Sequence, residues 1–154
     1  MQLLNYVEIR KGFPNKFHPS AVKEALECGM VNVLKHRDEE GRHVFYFRTG
    51  NFVTTTYIIL KILTFFLELW NAKKIDADEV FIACTLVLEE MLNSVDTQSN
   101  GVAFLHNLND LGIAHVATLN LNCIKRIYRV KGGFPAKFKK AHALNPGLII
   151  SFVY

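Results

Sequence analysis

With 154 residues, half of them hydrophobic and 21% charged, the chain is long enough for one domain with a buried core, and a single α/β or α+β domain is the expectation. The 18 Lys and Arg against 14 Asp and Glu give a formal charge of +4, which suits an anionic partner such as a phospholipid surface or a nucleic acid without choosing between them. Cys28, Cys84 and Cys123 are odd in number, far apart and free of CxxC or Cys/His metal spacing, so a disulfide scaffold and a zinc site are set aside.

The opening MQLLNYVEIRKG has no basic stretch followed by an apolar one, so no secretory signal is visible and the cytosol is the default compartment. Residues 2–10 read as the end of a helix closed by Gly12 and Pro14, since proline cannot continue a helical ladder. AVKEALECG reads as a short helix stopped by Gly29. A turn at Asp38-Glu39-Glu40-Gly41 leads into HVFYFR, an aromatic and β-branched run that predicts a strand. Next comes FVTTTYIILKILTFFLEL, residues 52–69, which interrupts the alternation of charged and apolar residues seen elsewhere.

Asp76 stands three residues before Glu79, the spacing of a capped helix start. In the helix that follows, Val80, Phe81, Cys84, Val87, Leu88 and Met91 recur at helical spacing and predict one buried face. After Gly101, VAFLHNL reads as a buried strand. A further helix over roughly Ala117 to Val130 stops at Gly132-Gly133, and KAHALN begins a third strand. The order strand, helix, strand, helix, strand argues for an α/β fold with a mixed, mostly parallel sheet and helices against it.

Catalytic signatures are missing. KGGFPAKFKK lacks the GK[ST] ending that grips a nucleotide phosphate, and no GxSxG, HExxH or GxGxxG occurs. The six histidines have no i, i+4 metal partner, and Glu89-Glu90 point about 100° apart on a helix, as a solvated edge and not as an acid/base dyad. The chain reads as a non-enzyme, with no cofactor implied. A nucleic-acid reader is disfavoured because the aromatics fall within apolar segments and are not interleaved with Lys and Arg as stacking platforms.

Four blocks, HRDEEGRHVFYFRTGN, WNAKKIDADEVF, DTQSNGVAFLHNLNDLG and FPAKFKKAHALN, occur in the order of the CRAL-TRIO lipid-binding family, which this chain resembles over most of its length. That family includes the cellular retinaldehyde-binding and α-tocopherol transfer proteins. NYVEIRKGFPNKFHPSAVKEALECG is similar to the end of the helical domain that precedes the lipid-binding domain there. The implied organisation is therefore residues 1–29 as the end of a helical domain and residues 30–154 as a lipid-binding domain, short of the family pattern at both ends.

The same resemblance isolates the apolar run. If residues 52–69 were removed, Arg48-Thr49-Gly50-Asn51 would join Trp70-Asn71 and the family pattern would close without a gap. Three readings compete. A transmembrane helix needs roughly 20 apolar residues, and Lys61 and Glu68 lie inside this run. An inserted core helix would lack a polar face and would begin with three threonines, which favour extended structure. A translated non-coding segment accounts best for how the flanks rejoin.

The resemblance implies a carrier that encloses one small hydrophobic lipid of tocopherol, retinoid or phospholipid type and releases it at membranes, so the expected location is cytoplasmic and peripheral at membranes. By motif position, Phe81, Cys84, Leu88 and Val102 match ligand-facing positions of the family. Tocopherol-binding relatives carry hydroxyls where Cys84 and Leu88 stand, which weighs against tocopherol. His106 falls where the family often has an apolar residue, and is expected to donate a hydrogen bond to a ligand head. Lys137 matches a family lysine that contacts phosphoinositide phosphate, and Lys139 and Lys140 extend the positive patch. The alternatives are a phosphoinositide-sensing module without transfer activity and a membrane-anchored protein using residues 53–69.

Overall fold

The computed structural model describes residues 2–48, 74–109 and 121–145. In chain order these form α1 (Gln2–Lys11), a 3-10 turn (Pro19–Val22), α2 (Lys23–Glu27), β1 (Val31–Val33), β2 (His43–Arg48), α3 (Ala77–Met91), α4 (Val95–Asn100), β3 (Val102–Asn107), α5 (Leu121–Gly133) and β4 (Phe138–Leu144). The described strands make one sheet in the order β1-β2-β3-β4. β1 runs antiparallel to β2, whereas β2, β3 and β4 are parallel, with α3 and α4 in the first crossover and α5 in the second. This is the mixed, mostly parallel sheet with flanking helices that the alternation of elements predicts.

Residues 52–69, the predicted helix start at Ala117 and the segment after Asn145 lie outside the described residues. Among the described residues, no helix is long and apolar enough to cross a membrane.

α3 begins as its sequence requires. Asp76 Oδ1 accepts from the Glu79 amide at 2.7 Å and Glu79 Oε2 accepts from the Asp76 amide at 3.0 Å, so two otherwise unpaired donors are satisfied reciprocally. Its buried surface is wider than the predicted stripe. Ile82, Ala83 and Thr85 are buried as well, while Cys84 and Val87 are only half-buried. The Thr85 hydroxyl donates to the Phe81 carbonyl at 2.8 Å, which satisfies it inside the helix.

Register divides the sheet into two faces. Strand side chains alternate, so Phe45 and Phe47 share a face with Phe104 and His106, their partners on β3, and with Val102. The core lies on this side. Phe45 and Val102 join residues of α1, α3 and α5 in one apolar cluster, against which Phe47, Phe104 and Phe138 pack. Aromatic rings link its layers: Phe45 to Phe104 at 4.9 Å, Phe104 to Phe138 at 5.1 Å, Phe138 to Phe134 at 5.8 Å and Phe134 to Tyr6 at 5.4 Å between centroids.

The N-terminal segment is tied to the same body. Arg10 Nη1 pairs with Glu89 Oε1 of α3 at 2.5 Å, and the Arg126 guanidinium of α5 lies 4.4 Å over the Phe13 ring while pairing with Asp78. At the base of β2, Arg42 is 3% exposed and pairs with both Asp38 and Glu40 at 2.7 Å, which locks the predicted turn.

Gly101 marks the close approach of β3 and β4. Its φ is +82°, and a Cβ there would lie 2.4 Å from the Lys137 carbonyl oxygen, which accepts the Val102 amide at 2.9 Å.

Candidate functional site

Phe81, Cys84 and Leu88 recur at i, i+3 and i+7 on α3 and form one stripe. The stripe meets the N-terminal segment. Phe81 is buried with its ring centroid 6.0 Å from that of Phe13. Cys84 neighbours Cys28, and burial together with that neighbour pushes its thiol up to about 12, so it is protonated at neutral pH. Burial also raises the Cys28 thiol, whose sulfur donates to the Ala25 carbonyl at 3.2 Å. Leu88 is buried in the same cluster as Phe81 and Val102.

Val102 opens β3 and is fully buried. His106 lies four residues further along the same face, roughly 13 Å away at strand rise, near the carboxyl end of the parallel strands. Its ring sits 4.8 Å from Phe47 on β2. Burial lowers its pKa from 6.5 to about 4, so the imidazole is neutral at physiological pH. Nε2 is buried and has no hydrogen-bond partner among the described residues.

The two lysines stand at the other end of the sheet. Lys137 immediately precedes β4, and its carbonyl is bonded to Val102 at the start of β3. The Lys139 stem passes beside Gly101. Both ammonium-bearing side chains are exposed, whereas Lys140 is paired with Glu40 at 2.5 Å. The fold thus brings Phe81, Cys84, Leu88 and Val102 into one apolar mass, places His106 at the carboxyl end of the strands, and sets Lys137 and Lys139 at the amino end.

Phe47 was not singled out by sequence reasoning, although it backs His106. The signal was available in principle: HVFYFR and VAFLHN pair in register from their first residues, which sets Phe47 opposite His106. Among the described residues, no three His, Cys, Asp or Glu side chains converge as a metal-ligand set.

A CRAL/TRIO domain model matches residues 27–154. The chain belongs to the CRAL-TRIO domain family. Members of this family are generally lipid binders rather than enzymes. The chain is 26% identical over 156 residues to human (Homo sapiens) "Alpha-tocopherol transfer protein-like", covering 99% of this chain and 40% of that relative. The Mus musculus protein of the same name matches at the same identity and coverage. Rattus norvegicus "Clavesin-1" is 25% identical over 134 residues, covering 86% of this chain and 33% of the relative. The chain thus spans 40% or less of the length of these CRAL-TRIO relatives.

Proposed function

We propose that this CRAL-TRIO chain binds one small hydrophobic lipid of tocopherol, retinoid or phospholipid type and passes it between membranes, with release assisted by phosphoinositides. The observation that carries the reading is the apolar, helix-covered face of the parallel sheet, whose strands lie, with α3 and α5, inside the family match. Each lipid methylene buried on such a surface gains about 0.8 kcal/mol, so affinity needs no covalent chemistry. Phe81, Cys84, Leu88 and Val102 are the proposed apolar contacts and His106 the proposed polar one. Cys84 as a neutral thiol and Leu88 as a hydrocarbon give a tocopherol hydroxyl no strong partner at those two positions.

Lys137 and Lys139 are the proposed phosphoinositide contacts. Exposed ammonium groups near an anionic membrane contribute about 1 kcal/mol each, which favours a peripheral, reversible encounter. The reading is tested by mass spectrometry of lipid co-purifying with the chain, followed by transfer of a fluorescent lipid between vesicles with and without phosphatidylinositol 4,5-bisphosphate in the acceptor. One bound lipid and transfer accelerated by the phosphoinositide are expected. Vesicle binding without transfer would identify a sensing module instead, and neither lipid nor vesicle binding would refute the proposal.

A further inference from the structure

The two histidines on the helix-covered face of the sheet differ in one respect. His43, at the amino end of β2, has Nδ1 2.8 Å from the hydroxyl of the fully buried Thr97. His106, toward the carboxyl end of β3, has a buried Nε2 that meets no donor or acceptor among the described residues. Buried polar atoms in folded proteins almost always have partners, so an orphan of this kind asks what satisfies it.

Its surroundings narrow the answer. Among the described residues, its neighbours on the same face of the sheet, Phe47, Phe104 and Ala143, offer no side-chain hydrogen bond. In open parallel sheets, ligands bind beyond the carboxyl ends of the strands, and apolar sites fix ligand orientation with a few placed polar groups. From this placement, and resting on the carrier reading above, we propose that His106 Nε2 is the polar anchor of the lipid site and that it selects a lipid bearing an uncharged hydroxyl over the same skeleton without one.

The chemistry favours a hydroxyl over other heads. An O–H group both donates and accepts, so it pairs with Nε2 in either imidazole tautomer, whereas a carbonyl serves only the tautomer that carries the proton on Nε2. A neutral imidazole gives a carboxylate no charge to compensate its desolvation, and a cationic head would be buried without a counter-charge.

The test uses two probes with one fluorophore, 1-pyrenebutanol and 1-butylpyrene, titrated into the full chain. The alcohol is expected to bind about tenfold more tightly, the ordinary weight of one buried hydrogen bond. His106→Phe is expected to abolish that preference, and His106→Gln to retain part of it. In the wild-type chain, the 15N resonance of His106 Nε2 is expected to shift with the alcohol and not with the hydrocarbon, a readout that decides the matter even if a variant fails to fold. Equal binding of both probes with no such shift would overturn the anchor and leave the carrier standing. Binding of neither probe would overturn both.

Discussion

Replacing His106 with phenylalanine is expected to make the protein more resistant to mild acid, and the size of the effect follows from its burial. The unfolded imidazole titrates near 6.5 and the folded one near 4. Between those values the unfolded chain binds more protons, so stability rises with pH across the window. The contribution is fully present above pH 6.5 and is lost as pH falls toward 4. At about 1.36 kcal/mol per unit, the full loss is roughly 3 kcal/mol, of which about 2 kcal/mol is gone by pH 5. Phenylalanine keeps an aromatic ring against Phe47 and cannot take up the proton.

The assay is urea unfolding of both proteins at pH 7.5 and pH 5. All other titrating groups are shared, so the change in the stability difference between the two pH values isolates His106. The variant should gain about 2 kcal/mol relative to wild type on going to pH 5. A difference that stays constant within about 0.5 kcal/mol would refute the reasoning, because it would mean that His106 titrates alike in the folded and unfolded chains.

Three further outcomes follow from local geometry. Gly101→Ala puts a side chain on a backbone with φ +82° and ψ −164°, so denaturant unfolding should show a loss of at least roughly 1–3 kcal/mol from the backbone conformation alone; a change within experimental error would contradict the observed approach to Lys137. Asp76→Ala removes half of the capping box on α3 and should cost about 1 kcal/mol by the same measurement, with Asp76→Ser restoring most of it. Cys84, with its thiol raised to about 12, should resist iodoacetamide at pH 8 in the folded chain and react once urea unfolds it, as peptide mass spectrometry will show; rapid labelling in the native protein would refute its protonated state.

What the sequence disclosed tracks how strongly each element is specified locally. α3 was legible because the Asp76 to Glu79 spacing and a long apolar repeat point the same way, and β2 and β3 because their aromatic and β-branched runs end at glycine and turn signals. β1 has three residues with only Val31 buried, and α4 is the polar VDTQSN held by a single buried side chain, Thr97. Neither carries a periodic signal, so both exist because tertiary pairing supplies what local preference does not. β4 begins at Phe138, two residues ahead of the predicted Lys140, because Phe138 pairs with Val102 of β3 ahead of a register shift.

The candidate site divides in the same way. Helical spacing was enough to group Phe81, Cys84 and Leu88, since that grouping needs only the period of one element. It could not show that Phe81 meets Phe13 and Cys84 neighbours Cys28, because those contacts join segments more than fifty residues apart. His106 is the sharper case. Strand alternation alone assigns it to the same face as Val102 and Phe104, where a lone histidine in an apolar strand is ordinarily a satisfied core residue. Only the register with β2, which gives it Phe47 for a neighbour, and the lack of any described partner for Nε2 distinguish it from His43. A residue's type and period can therefore nominate it for a binding face, but the unmet hydrogen bond that makes it a candidate anchor is a property of the assembled sheet.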